Sequence, residues 1–376
     1  MLTDKHILQN IERHRMQSDV STQQYFHVLQ NKLAGNITGK RRIYLDTKYW
    51  VLLRDAALGR PRAASHTEIL ILLRDLVSNG AVICPLSDAA YVESMQQTDK
   101  ETRLATAALM DELSCGVAVA TEATRVRKEL LNFVAAPASD TSNFSDTIWV
   151  KTGFVLGENV PYAETLNADI NLLAQKSFID LLWNQTVADF AAQDHDRDLA
   201  SLRTSAVNIN EKMVAYADQI RSFEQAATAE FSGCVSLFDR KLTAAALIEK
   251  GLKNATTEEI DKFQGAMQRC LFNALRLRPD FMAKRVPTLF IHAMCHAAIR
   301  WDKQRKLDSH WLLDIHHACA GLAYHEAMFT EHPLRVLLVS GNMRMDQRFG
   351  ACILSAEQDV LRYLAELTSF SITSAL

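Results

Sequence analysis

Residues 40–50 read Lys40-Arg41-Arg42-Ile43-Tyr44-Leu45-Asp46-Thr47-Lys48-Tyr49-Trp50. A basic start followed by the apolar run Ile43-Tyr44-Leu45 reads as a short strand, and an aspartate stands where that strand stops. A helical pattern resumes over 48–58 and is closed by Gly59 and Pro61. Another helix, His66–Ser78, stops at Asn79-Gly80. A second apolar run, Ala81–Pro85, follows, and Ser87 then caps a helix that carries Glu93. Upstream, residues 4–34 show helical periodicity broken near Ser18–Ser21 and ending at Gly35, which predicts a helical hairpin over 1–39. This alternation of helix and strand predicts an α/β fold around a mostly parallel sheet.

The middle of the chain reads differently. Helical stretches dominate 100–113, 121–135, 165–192, 196–229, 238–252, 257–277 and 287–305, with little strand signal beyond Gly116–Ala120. Turn signals sit at 136–140 and Gly157–Pro161. We read 101–304 as a large all-helical insertion. The α/β pattern returns after 305. Ser309 starts a helix running to about Tyr324, Ala327–Thr330 is a short strand, Pro333–Val339 is helical, Ala351–Leu354 is a last strand and Glu357–Leu367 a last helix. The expected organisation is therefore a discontinuous α/β domain, 40–100 with 305–376, interrupted by the helical block.

Composition narrows the function classes. The chain has 376 residues, 48% of them hydrophobic and 23% charged, the balance of a soluble globular protein. Only 7 Pro and 13 Gly exclude a collagen-like or linker-rich chain and argue against an all-β sandwich, which needs many turns. With 41 Lys+Arg against 44 Asp+Glu the net charge is −3, which excludes a highly basic nucleic-acid coat protein but allows a local basic groove. The polar, amphipathic first residues are not those of a signal peptide, and no 18-residue apolar run is present, so no membrane partner is expected. The 7 Cys are scattered with no CxxC pair, which reads as reduced thiols and a cytoplasmic location.

Four acids hold comparable places in this pattern. Asp46 ends the first strand, Glu93 lies in the helix after the second, Asp314 lies early in the helix from Ser309, and Glu331 ends the strand after it. A helix from 314 to 324 is ~16 Å long. The strand returning from 326 covers ~17 Å, so its end comes back beside the helix start, and Glu331 can approach Asp314. In α/β sheets, sites form at the carboxyl ends of strands. Carboxylates gathered there repel one another, and a hard divalent cation relieves the repulsion. Mg²⁺ or Mn²⁺ is the expected cofactor. Water held by such an ion is more readily deprotonated and can attack phosphorus, which is phosphodiester hydrolysis. Taken singly, each acid reads more readily as a solvated charge or a helix cap than as a ligand, and it is their joint pattern that points to a site.

At these residues the chain resembles the PIN-domain nucleases. Ile43–Trp50 is similar to the family's opening motif, a strand followed by Asp-Thr. ICPLSDAAYVE, Ile83–Glu93, resembles the second, in which a Ser precedes a helix bearing an acid. DIHHACAGLAYHEAMFTE, Asp314–Glu331, resembles the third and fourth. The resemblance implies a PIN-like three-layer α/β/α fold and a metal-dependent endoribonuclease, toxin-like or defence-related in setting. It implies Asp46, Glu93, Asp314 and Glu331 as catalytic acids, with Asp46, Asp314 and Glu331 holding metal. Products with 5′-phosphate and 3′-hydroxyl ends, a homodimer and an inhibitory or regulatory protein partner are further implications. The family often has Asp where this chain has Glu331. A competing alignment makes Arg335–Ser340 the fourth strand and puts Asn342 in the acid's place, but it requires a helix of ~33 Å returned by a strand of ~23 Å. A catalytically inactive scaffold and a small-molecule metal phosphohydrolase are the alternative functions.

Other residues surround these motifs. Thr47 offers a hydroxyl to a phosphate or to Asp46, or a cap to the next helix; Thr330 precedes Glu331 as Thr47 follows Asp46. Arg41 and Arg42 precede the first strand, and Arg300, Lys303, Arg305 and Lys306 precede the helix of Asp314. Both basic runs are candidates for holding an RNA backbone, or are solvated faces. Trp301 and Trp311 are candidates for base stacking or for the core. His316 and His317 are candidates for substrate contact or for core packing. His292 and His296 have i, i+4 spacing, but position 293 is Ala, so HExxH is absent and zinc is not expected. Trp149 to Tyr162, the least helical part of the block, reads as a loop over the site.

Overall fold

A computed structural model describes residues 4–135, 144–193, 200–215, 217–302 and 307–373. The chain is mostly helical, and four short strands pair in parallel, two in each of two compact units. The first unit is Met1–Thr124, Ser145–His195 and Glu357–Leu376; the second is Arg125–Phe144 and Asp196–Ala356.

The chain opens with α1, Asp4–Met16, and α2, Thr22–Ile37. Ser21 closes a capping box with Gln24 at the start of α2. Gly35 does not end this helix. A single helical glycine costs only about 1 kcal/mol, and the backbone leaves the helix two residues after Ile37, at Gly39, whose φ of 85° suits glycine. Next come β1, Arg41–Leu45, α3, Thr47–Ala57, α4, Ala64–Ser78, and β2, Val82–Ile83. The strands β1 and β2 are parallel, with Arg41 opposite Val82 and Arg42 opposite Ile83. Ile43, Tyr44 and Leu45 are buried, as a strand covered by helices requires.

Then follow α5, Asp88–Ser94, α6, Lys100–Ser114, β3, Val117–Val119, and α7, Glu122–Ala135, whose residues from Arg125 belong to the second unit. β4, Trp149–Lys151, pairs antiparallel with β3, and Leu86 bridges to Ala118 of β3 in parallel. The block 101–304 is therefore not all-helical. The segment expected to be a loop begins with a strand whose Trp149 is buried, while Tyr162 at its other end is exposed. Expected long helices also break. α8, Ala168–Trp183, and α9, Val187–Ala191, are separated where Thr186 forms a new capping box with Asp189. The helix α19, Glu357–Thr373, returns to this unit and packs on α4.

The second unit contains α10, Ala200–Ala215, α11, Phe223–Cys234, α12, Arg240–Glu249, and α13, Thr257–Leu277. Ser222 accepts from the Gln225 N–H and starts α11, which splits the expected helix 196–229. α14, Pro279–Arg285, and α15, Pro287–Trp301, each begin at a proline, where the missing N–H is harmless. α16, Ser309–Tyr324, leads to β5, Ala327–Phe329; α17, His332–Val339, α18, Met345–Phe349, and β6, Cys352–Leu354, complete the unit. The cap of α16 is Asp308, not Ser309: its carboxylate accepts from the Trp311 N–H at 2.9 Å. β5 and β6 are parallel in the register Ala327–Cys352 to Phe329–Leu354.

The compact units cut across the expected boundaries of 1–39, 40–100 with 305–376, and 101–304. The hairpin joins the first unit because α1 and α2 pack on α8. Residues 309–356 join the second because α16 packs on α15, whose buried face includes Leu289, Phe290 and Ile291. The turn signal at 136–140 lies outside the described residues.

Candidate functional site

In the first unit the register of the parallel pair sets the acids' positions. Asp46 lies four residues beyond Arg42, and Ser87 four beyond its partner Ile83, so both follow the carboxyl end of the pair. A 2.7 Å hydrogen bond joins the hydroxyls of Tyr44 and Ser87. Asp46 is buried and is itself the N-cap of α3, accepting from the Tyr49 N–H at 3.3 Å. That arrangement leaves Thr47 inside the helix, half-buried, and not at the cap. Ser87 Oγ accepts from the Ala90 N–H at 3.1 Å and starts α5, as its place before a helix predicts; Glu93 lies in α5, half-buried. Burial first, and then the charge of Asp46, push the Tyr49 phenol well above its ordinary range, so Tyr49 stays neutral beside the acid.

The first basic run does not accompany these acids. Arg41 and Arg42 occupy the opposite, amino end of β1, about 13 Å from Asp46 at the rise of a strand. Arg42 lies over the buried Trp149 ring at 5.6 Å, a cation–π contact that anchors it to β4.

In the second unit α16 packs on β5. Asp314 is half-buried in the second turn of α16. Thr330 continues the β5–β6 ladder, donating its N–H to Leu354 O at 2.8 Å. Its side chain is fully buried, with no hydrogen-bond partner for Oγ1 among the described residues. Glu331 follows at the N-cap position of α17, exposed, and makes no side-chain capping bond. Residues 335–339 are helical, which removes the competing strand at Arg335–Ser340; Asn342 lies in the exposed turn after α17.

His317 is buried, and His316 is half-buried with its ring 6.1 Å from that of His292. Arg300 pairs with Glu230 at 3.0 Å. Trp301 is exposed and Trp311 half-buried. Lys303, Arg305 and Lys306 lie outside the described residues.

Reading along the chain missed polar groups that act across it. Glu129, on α7, is wholly buried and caps α15 from outside, accepting from the Thr288 N–H at 3.0 Å and from the Tyr324 hydroxyl at 2.5 Å. Desolvation pushes its carboxyl up to about 7 against the pull of those bonds and of Arg125. Asp180, on α8, gathers Arg13 and His14 of α1 and Tyr25 of α2. Nothing in the local sequence marks either acid, because its partners lie on other elements.

Asp46, Glu93, Asp314 and Glu331 offer only oxygen ligands, the kind a hard divalent cation takes, but among the described residues the group of side chains close enough to share an ion is Glu122, His292 and His316, whose ligand atoms lie within 4.8 Å of one another. Among the described residues no helix is long and apolar enough to cross a membrane. No protein-family model, curated protein or solved structure matches the chain.

Proposed function

We propose that the chain is a metal-dependent endoribonuclease of PIN-like three-layer α/β/α architecture. The observation that supports this most is the placing of Asp46. It is buried and directly follows β1, the strand whose Tyr44 hydroxyl bonds the Ser87 cap of the helix that bears Glu93. The Thr330-Glu331 step after β5 is the counterpart in the second unit.

On this reading Asp46, Asp314 and Glu331 hold Mg²⁺ or Mn²⁺, and Glu93 orients water toward the phosphorus. When bound, the ion supplies a readily deprotonated water and neutralises charge developing on the phosphodiester. Thr47 and Thr330 present hydroxyls to the substrate phosphate. The Asp46 cap bond to the Tyr49 N–H holds the carboxylate in one orientation, and the neutral Tyr49 adds no competing charge. The RNA substrate, self-association, a regulatory protein partner and cytoplasmic action belong to the same proposal.

Incubation of end-labelled RNA with the protein in Mg²⁺ or Mn²⁺ tests it. The expected result is internal cleavage that stops on chelation and leaves 5′-phosphate and 3′-hydroxyl ends. RNA and DNA that both remain intact would remove the nuclease reading.

A further inference from the structure

The second unit contains a cavity of about 490 Å³ lined by α10, α11 and α15 together with Leu307. That volume is within the range of small-molecule sites, about 300–1,000 Å³. One wall is unusual in sequence. Over residues 291–300 of α15, His292, His296 and Arg300 are half-buried and every other residue is buried. The three line the cavity at successive turns, spaced about 6 Å along the helix axis. The rings of His292 and His296 are 4.6 Å apart and tilted by 34°.

Opposite this stripe, α10 contributes Lys212 and α11 contributes Glu230. Among the described residues Glu230 is the one acid in the lining, and Arg300 pairs with it at 3.0 Å. The charge that remains is that of Lys212, with imidazoles beside it that both donate and accept. The rest of the lining is mainly apolar. The wall is also fixed in place: the Asn210 side chain on α10 donates to Leu307 O at 2.7 Å and accepts from Leu307 N–H at 2.9 Å. An apolar chamber with a few convergent cationic and imidazole groups is built for an anion on an apolar body.

We propose that this cavity binds an organic phosphate of about mononucleotide size. The phosphate lies against Lys212, His296 and Arg300, and the apolar body fills the space toward Leu307. A phosphate monoester presents three acceptor oxygens, which suit one cation flanked by imidazole and guanidinium donors better than the two oxygens of a carboxylate do. The inference rests on the second unit alone and is independent of the nuclease reading.

Isothermal titration of the full chain with AMP and with UMP, without RNA or divalent ion, tests it. Adenosine and inorganic phosphate are titrated in parallel. The expected result is saturable 1:1 binding of at least one nucleotide, with adenosine and inorganic phosphate each weaker by about tenfold or more. Lys212→Gln, at an exposed position, and His296→Ala should each weaken the nucleotide by about tenfold, with melting temperatures checking that both variants fold. Three results would overturn the assignment. They are no saturable binding of either nucleotide, adenosine or phosphate binding as tightly as the nucleotide, and unchanged affinity in both folded variants.

Discussion

The hydroxyls of Tyr44 and Ser87 are joined by a 2.7 Å hydrogen bond, and both residues are wholly buried. One belongs to β1, the other to the cap of α5, so the bond ties the strand that leads to Asp46 to the helix that carries Glu93.

Ser87→Ala removes that bond and the α5 cap together. The cap is worth about 1 kcal/mol and a buried hydrogen bond about 1 kcal/mol more. Tyr44→Phe removes only the second. Urea unfolding should show Ser87→Ala losing about 2 kcal/mol and Tyr44→Phe about half of that. Equal losses would mean that the cap contributes nothing.

Asp180 holds the first helix. Its carboxylate accepts from Arg13 at 2.9 Å, lies 2.8 Å from His14 Nε2, and accepts from the Tyr25 hydroxyl. Truncating a buried acid with such partners costs about 3 kcal/mol or more. Asp180→Ala should therefore unfold more easily and should release backbone amides of α1 to hydrogen exchange before those of β1. Unchanged exchange in α1 would show that its docking relies on other contacts.

Glu129 makes stability depend on pH. Burial raises its carboxyl from 4.5 to about 7 in the folded chain, so the folded state keeps a proton that the unfolded state has released. Its contribution is complete below about 4.5, declines as pH rises, and is gone above about 7. Glu129→Gln keeps an acceptor for the Tyr324 hydroxyl and does not titrate. Chemical denaturation across this range should show wild type losing stability relative to Glu129→Gln as pH rises. Parallel curves would contradict the assignment.

Much of this was legible locally. The strand of Ile43-Tyr44-Leu45, the Asp46 stop and the Ser87 cap depend on neighbouring residues, and the structure places them where the sequence reading did. The short β4 was hidden because its three residues carry too little alternation to stand out from a turn-rich segment. The unit boundaries were hidden because the packing of α1 on α8 and of α15 on α16 joins faces distant in sequence. His292 and His296 were weighed only against a zinc motif. Extending the same spacing by one turn reaches Arg300, and the set then describes a polar stripe along the cavity, while the group of possible ligands that His292 joins, with Glu122 and His316, is drawn from three helices and has no linear motif. Glu129 and Asp180 looked like ordinary helical acids, since burial is a tertiary property.

Asp46 permits the most direct test of the proposed function because its two roles can be separated. Asparagine caps a helix as well as aspartate does, so Asp46→Asn keeps the α3 cap and the fold while removing the carboxylate charge. Alanine would remove both. The decisive measurement is the single-turnover rate of RNA cleavage in Mg²⁺ or Mn²⁺ for wild type and Asp46→Asn, alongside their unfolding curves. The account predicts unfolding curves that agree within about 0.5 kcal/mol, and a cleavage rate lower by about a hundredfold or more in the variant. Asp46→Asn cutting RNA at the wild-type rate would contradict the account and leave Asp46 as a helix cap.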